Sequence, residues 1–239
     1  MLFSGKTVIA SGEDGRITEK LRSLGFNVIE TIKNNNTSEC ISSHADCNYL
    51  RINDVIFVDA SQEENIVNYF TNRGGQYDYI IIEDPVRSPY PFDVRLNCRF
   101  LSSGKLIGRI DSIAPEVITY AEKTHIKLID CNQGYAACST VPVSDNAVIT
   151  DDPSIYSACV SNGIDCIEVS KGSVKLKGQD YGFIGGCCGK TDDTVLFTGA
   201  LNSHNDSERI KGFLRKYNAE YIELTEDVLT DIGGMILTD

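Results

Sequence analysis

The sequence repeats one order of elements four times, and this repeat constrains the fold more than any other feature. Each copy has a polar turn, a short apolar strand, a helix that begins near Ser, Asp, Asn or Pro, and a second apolar strand. The copies begin at Ile52, Ser102, Ser144 and Thr191. One more strand-like run precedes each turn, as in ADCNYLRI, VRLNCRFL, YAACSTVPV and GFIGGCCGK. Each unit is therefore predicted to be a hairpin, a helix and a further strand.

The two ends of the chain supply a fifth copy. The segments GKTVIASG, EDGRITEKLRSLG and FNVIET give a strand, a helix and a strand, and IGGMILT near the C-terminus supplies the missing leading strand. A single unit cannot cover its own apolar faces, and closing a ring removes the exposed edges. The repeat therefore predicts that residues 1–239 form one α/β domain, closed by pairing the first and last strands.

This order of elements resembles the pentein superfamily, which includes arginine deiminase, dimethylarginine dimethylaminohydrolase, the amidinotransferases and the ribosome anti-association initiation factor. The runs HADCNYLRIND and FDVRLNCRFL resemble the openings of the first two blades in the hydrolases. The chain resembles a bacterial branch of this superfamily. That resemblance implies a five-bladed ββαβ α/β propeller with pseudo-fivefold symmetry. It also implies that the leading strands line a central channel.

Cysteines recur in the predicted leading strands. Cys47, Cys98, Cys138 and the adjacent pair Cys187 and Cys188 all lie there, which suggests a sulfur-rich ring around a central pocket. Side chains alternate along a strand, so only one member of the adjacent pair can face the channel. The alternative is that these cysteines pack as small core residues, since cysteine is often buried.

The surrounding stretch GGCCGKT is not a phosphate-binding loop, because Ile184 stands where that loop needs its first glycine and a strand follows. Zinc is not indicated either, since the cysteines lack the paired spacing of zinc sites. Only a closed ring could bring these cysteines together around a metal ion, and the spacing itself does not support one, so we predict no metal and no cofactor.

The resemblance implies a C-terminal cysteine nucleophile, a histidine before the fourth turn and an acidic residue in the second blade. The matching positions hold Gly234 or Met235, Gly186 or Cys187, and Asn97. None of these can supply the usual nucleophile, proton carrier or guanidinium-binding carboxylate. Hydrolysis of arginine in the manner of the family is therefore not expected.

His44, Asp46 and Cys47 form a close His-acid-Cys group in HADC. A neighbouring histidine can make a cysteine reactive. On a strand, however, His44 and Cys47 would face opposite sides, so the pair needs a loop in order to meet. Cys47, Cys98 and Cys138 are the candidate thiols.

Polar residues around the same channel are candidate ligand-binding groups. Asn97 is expected in the pocket, with Arg95 and Asp231 at its rim. Arg51 lies four residues after Cys47 and would share its face of the strand. An inward-facing arginine would favour an anionic ligand.

Composition limits the remaining functions. The formal charge of −12 disfavours nucleic acid as a partner, and no apolar run approaches the length of a membrane span. Nine cysteines in strand-like and helical runs indicate reduced thiols, so we expect a cytoplasmic protein. Two classes remain: an enzyme or binder for a small molecule, and a non-catalytic module that binds a protein partner.

Overall fold

The computed structural model describes residues 2–71 and 78–238 and arranges their strands in five three-stranded sheets. In the first sheet, β1 (Thr7–Ala10) lies between β2 (Asn27–Glu30) and β15 (Met235–Leu237). β1 runs parallel to β2 and antiparallel to β15. The predicted pairing of the first and last strands is confirmed.

The other four sheets repeat this arrangement. Each has a leading strand antiparallel to a central strand, which is parallel to a third strand. In this order the strands are β3 (Tyr49–Ile52), β4 (Val55–Val58) and β5 (Asp78–Ile81); β6 (Arg99–Leu101), β7 (Lys105–Gly108) and β8 (Lys127–Asp130); β9 (Thr140–Ser144), β10 (Ala147–Thr150) and β11 (Asp165–Glu168); β12 (Cys188–Thr191), β13 (Thr194–Phe197) and β14 (Glu220–Glu223). We call β3, β6, β9, β12 and β15 the leading strands.

A helix connects the second and third strands of every sheet, as predicted. These helices are α1 (Gly15–Leu24), α3 (Glu63–Thr71), α4 (Pro115–Lys123), α5 (Pro153–Ser161) and α6 (Ser207–Lys216). Proline suits a first helical position, and Asp152 caps α5 by accepting hydrogen bonds from the backbone N–H groups of Ser154 and Ile155. The predicted helix end at Asn72 and strand start at Tyr77 lie outside the described residues.

Apolar side chains of neighbouring sheets share the core. Ile9 of β1 packs in one cluster with Ile56 of β4, and Phe57 of β4 packs in another with Leu106 of β7. Equivalent clusters join β7 to β10, β10 to β13, and β13 to β1. The burial of each sheet therefore depends on its neighbours.

No helix within the described ranges is both long and apolar enough to span a lipid bilayer.

Candidate functional site

A turn precedes each of the leading strands, and these turns carry the candidate site. The strands are shorter than the sequence predicted, so Cys47, Cys98, Cys138 and Cys187 lie just before them instead of within them. Local hydrogen bonds of the turns, such as Thr140 N to Ala137 O (3.2 Å), keep these residues out of the ladder. The position two residues before the strand is held by Cys47, Asn97, Cys138, Gly186 and Gly233.

The turn before β3 is the short helix α2 (Ala45–Asn48), with His44 directly before it. Residues three apart on a helical turn lie on one face, so His44 and Cys47 meet here. One ligand atom of each side chain lies within 4.8 Å of the other. The condition stated for their meeting is fulfilled, because the strand begins only at Tyr49.

Asn97 joins the turns before β3 and β9. Its side-chain Nδ2 lies 3.5 Å from Cys47 Sγ and 3.2 Å from Cys138 Sγ. Its Oδ1 accepts hydrogen bonds from the backbone N–H groups of Ala137 (2.8 Å) and Cys138 (3.2 Å). An amide can donate and accept at once, whereas a carboxylate can only accept, so asparagine fits this position.

Asp46 accepts a hydrogen bond from the thiol of Cys138, with 2.8 Å between Sγ and Oδ2. One ligand atom from each of His44, Asp46, Cys47 and Cys138 lies within 4.8 Å of every other. All four residues are at most 4% exposed. The structure therefore brings together the two groups that the sequence kept separate, the HADC group and the cysteine of the third leading run.

Asp231 completes the group from the other end of the chain. Its Oδ1 lies 3.9 Å from His44 Nδ1 and accepts a hydrogen bond from Gly233 N (2.9 Å). Its Oδ2 accepts one from Phe183 N (3.0 Å). Asp231 is 4% exposed and lies beside the imidazole.

Two glycines make this arrangement possible. A Cβ on Gly186 would lie 2.0 Å from Asp231 Oδ1, and a Cβ on Gly233 would lie 2.2 Å from the Cβ of His44. Gly233 also has a φ of +75°, which side-chain-bearing residues rarely adopt. Asp231 and His44 thus occupy the space that side chains at positions 186 and 233 would need.

The buried charges shift one another's pKa values. Burial lowers the pKa of His44, but its hydrogen bond with Cys47 and the charges of Asp231, Cys47 and Asp46 outweigh burial and raise that pKa to about 9. Burial, the hydrogen bond with Cys47 and the charge of Asp46 raise the pKa of the Cys138 thiol well above its usual range. Burial also raises the pKa of Asp231, against the opposing charge of His44. Perturbed groups beside a cavity indicate a functional site.

A cavity of about 360 Å³ opens on this group, and we call it the thiol cavity. His44, Cys138 and Asp231 lie at its wall, and the ring of Phe183 stacks on that of Tyr135 with centroids 6.1 Å apart. The remaining lining residues are Ser38, Cys40, Ile41, Leu176, Gln179, Asp180 and Tyr181. Its volume suits a small molecule.

The four clustered side chains could also hold a metal ion. Nitrogen, carboxylate oxygen and two sulfurs form a donor set that zinc accepts. His44 Nδ1 and Asp46 Oδ1 are buried without a hydrogen-bond partner among the described residues. The sequence spacing did not indicate this set, because its members come from turns that only the tertiary fold brings together.

The other predicted site residues lie elsewhere. Cys98 packs in the core beside Gly108, and Cys187 and Cys188 are both buried in an apolar cluster, each donating to a backbone carbonyl. Arg95 forms an ion pair with Asp84 and lies over the ring of Phe92, outside the thiol cavity. Of the predicted sulfur-rich ring, the structure brings Cys47 and Cys138 together at the site.

Arg51 does not share a wall with Cys47. It extends from β3 into a second cavity, where its Nη1 donates to Leu237 O (2.7 Å). The prediction assumed that both residues lie on one strand, whereas Cys47 belongs to α2.

The aromatic wall of the thiol cavity was not predicted as part of the site. Tyr181 and Phe183 come from GQDYGFIGG, before the turn of β12. The run has no periodicity that marks a strand or helix, and its aromatic residues next to glycines were the available signal.

A protein-family model described as "Family of unknown function (DUF6873)" matches residues 8–236. No curated protein sequence matches the chain. Several solved structures are similar in fold.

The first is DDAH from Pseudomonas aeruginosa in complex with citrulline, which is 10% identical, with 98% of this chain and 100% of that chain covered and a TM-score of 0.57. The second is agmatine deiminase from C. jejuni, at 9% identity, 94% and 89% coverage and a TM-score of 0.55. The third is the N-terminal domain of ArgZ, a cyanobacterial arginine dihydrolase, at 10% identity, 96% and 94% coverage and a TM-score of 0.57. The predicted resemblance to the pentein superfamily is confirmed at the level of the fold.

Proposed function

The chain belongs to the family of unknown function DUF6873, and we propose that it is a thiol-dependent enzyme acting on a small cationic molecule in the thiol cavity. One observation carries the proposal. Cys138, at the cavity wall, donates its thiol hydrogen to the buried carboxylate of Asp46, while a buried histidine lies within 4.8 Å of both. A nucleophile next to a proton acceptor and a second proton carrier is an arrangement typical of covalent catalysis.

In the proposed reaction, Cys138 Sγ attacks an electrophilic carbon that bears a nitrogen leaving group. The S–H proton passes to Asp46 Oδ2, and the new S–C bond forms as the C–N bond breaks. His44, protonated because of its raised pKa, gives its proton to the leaving nitrogen. Water then breaks the S–C bond, returning one proton to His44, while the proton on Asp46 returns to the sulfur.

Asn97 acts here as a positioning residue. Its Nδ2–H group points at the Cys138 sulfur over 3.2 Å, so it would stabilise the negative sulfur once the proton has left. Its Oδ1 fixes the backbone of Ala137 and Cys138, which holds the sulfur in place.

The charges of the cavity favour a cationic substrate. Asp180 and Asp231 line it, the protonated His44 offsets only one of these carboxylates, and within the described ranges no lysine or arginine lines it. Aromatic rings such as those of Tyr135 and Phe183 also attract cations. A bound cation would lower the raised pKa of Cys138, because it offsets the neighbouring carboxylates that disfavour the thiolate.

The similar structures support a substrate with a carbon bonded to several nitrogens. These proteins are a DDAH in complex with citrulline, an agmatine deiminase and an arginine dihydrolase. The positions to which the resemblance assigns its catalytic residues hold Gly186 or Cys187, Gly234 or Met235, and Asn97, so the proposed chemistry depends on the turns before β3 and β9 instead.

We further propose that residues 1–239 form one five-bladed propeller with pseudo-fivefold symmetry. Leading strand β15 contacts β3 and β12, and β9 contacts β6 and β12. The core clusters also link each sheet to the next and the last to the first.

All nine cysteines are free thiols, which supports a reducing compartment such as the cytoplasm.

A turnover assay with matched cysteine variants tests the function. Agmatine, arginine and methylguanidine are incubated with the protein, and released ammonia or amine is measured together with metal content, with and without a chelator. We expect Cys138→Ala to lower turnover by about a thousandfold or more, because the nucleophile is lost. The control variant Cys98→Ala, in the core, should stay within a few-fold of the wild type.

Equal turnover by Cys138→Ala and the wild type would refute the proposal. So would the absence of turnover of all three compounds by the metal-free protein, and the non-catalytic interaction module would then be favoured.

A further inference from the structure

A second cavity, of about 320 Å³, is built by the leading strands themselves, and we call it the arginine cavity. Each leading strand contributes one residue at an equivalent position, four residues after the residue that lies two positions before the strand. These five residues are Arg51, Leu101, Pro142, Lys190 and Leu237. These residues occupy equivalent positions in the five repeated units, so they meet around one cavity. The ring thus combines two cations with three apolar residues.

Arg99 adds a third cation to this cavity. Its Nη2 donates to Ala137 O (2.7 Å), while its Nε is buried and has no hydrogen-bond partner in the described part of the chain. Lys190 donates to the backbone carbonyl of Asp192. Neither Arg99 nor Lys190 forms an ion pair with a described carboxylate. Three cations are thus drawn together inside a protein whose net charge is −12.

Among the described residues, one carboxylate lines the arginine cavity with these cations. It is Asp46, at the end of the leading strands that is nearest the turns, where its Oδ2 is engaged by Cys138. The charges of Arg99 and Lys190 alone therefore outweigh that of Asp46. Fixed cations in a partly enclosed cavity attract anions more strongly than the same cations in water.

We propose that the arginine cavity binds a small organic anion, with a carboxylate or phosphate head group and a short apolar body. The head group would accept hydrogen bonds from Arg99 Nε and Lys190 Nζ, since guanidinium N–H groups suit carboxylate and phosphate oxygens. The apolar body would lie against the side chains of Leu101, Pro142 and Leu237. This site goes beyond the thiol cavity and does not depend on its chemistry.

Calorimetric titration of the intact protein tests this assignment. The probes are hexanoate, hexyl phosphate, inorganic phosphate and hexylamine. We expect at least one of the first two to bind, and whichever binds more tightly identifies the head group. Arg99→Gln should weaken that binding about tenfold or more, because charge-assisted hydrogen bonds are lost. Lys190→Gln should weaken it several-fold, and the exposed control Lys127→Gln should leave it unchanged.

Several results would overturn the proposal: no binding of hexanoate or hexyl phosphate, equal binding of hexylamine, or unchanged affinity in both Arg99→Gln and Lys190→Gln. Inorganic phosphate binding as tightly as hexyl phosphate would contradict the role of the apolar wall. If Arg99→Gln does not fold, Lys190→Gln decides alone. A wild type that binds the anion but turns over no guanidine refutes the proposed function and leaves this site standing.

Discussion

The thiol cavity and the arginine cavity are built from the same five-unit repeat but have opposite charge. The thiol cavity collects residues that lie before the leading strands, where turns leave room for carboxylates, an imidazole and thiols. The arginine cavity collects residues along the strands, where alternation directs every second side chain inward. Asp46 is in contact with both regions. Two positions of the repeated unit, one in the turn and one in the leading strand, therefore give the same fold two cavities with different chemistry.

The largest effect on this comparison should come from Gly186→Ala. The new Cβ would lie 2.0 Å from Asp231 Oδ1, so Asp231 and the neighbouring His44 must move. We expect the free energy of unfolding to fall by about 3 kcal/mol and turnover in the thiol cavity to be lost. Chemical denaturation measures the first and the ammonia assay the second. A Cβ on Gly15 would meet nothing within 4 Å, so Gly15→Ala is the control.

Stability equal to that of Gly15→Ala would show that the glycine is not needed for the site. Anion binding should persist in the folded fraction of Gly186→Ala, because the arginine cavity does not include this residue.

A smaller effect concerns pH, and it should be confined to the region beside the thiol cavity. Burial raises the pKa of Asp151 to about 7, against the hydrogen bond that its Oδ2 accepts from Ile184 N. The folded protein therefore holds this proton more tightly than the unfolded chain, so its contribution to stability is present below pH 4 and lost as the pH rises to about 7.

Asp151→Asn removes this titration but keeps an acceptor for Ile184 N. We expect the free energy of unfolding of the variant, relative to that of the wild type, to rise by about 1–3 kcal/mol as the pH increases from 4 to 8. Denaturation curves at both pH values measure this difference. A constant difference between variant and wild type would exclude Asp151 as a buried titrating acid.

The smallest of the three effects should have opposite directions in the two cavities. Asp46→Asn removes the carboxylate that accepts the proton of Cys138 and that opposes anions in the arginine cavity. We expect turnover to fall and hexanoate to bind a few-fold more tightly in the same variant. Assay and titration of one preparation measure both. A loss of both turnover and hexanoate binding would indicate general damage to the fold.

The order of elements could be predicted because it is repeated. The pairing of β1 with β15 and the helix starts at Pro115 and Pro153 follow from local patterns that recur in each unit. The strand starts could not be predicted, because ADCNYLRI contains no glycine or proline to mark the point between Asn48 and Tyr49 where α2 ends and the ladder begins. This error hid the contact between His44 and Cys47.

Which residues form the site depends on distances in the folded chain, and these cannot be read from the spacing of residues in the sequence. Cys138 and Asp46 are 92 positions apart and form a direct hydrogen bond. The roles of Gly186 and Gly233 lie in the side chains that they lack, which a sequence pattern cannot connect to Asp231 and His44.

The most direct test of the central claim compares two alkylating agents of nearly equal shape, cationic chloroacetamidine and neutral chloroacetamide. Mass spectrometry follows the modification of Cys138 in the folded protein at pH 7.5, with Cys98 as the internal reference. We expect chloroacetamidine to modify Cys138 at least tenfold faster than chloroacetamide does, because the acidic thiol cavity concentrates the cation and promotes the thiolate. Equal rates for the two agents, or a Cys138 as unreactive as Cys98, would contradict the account.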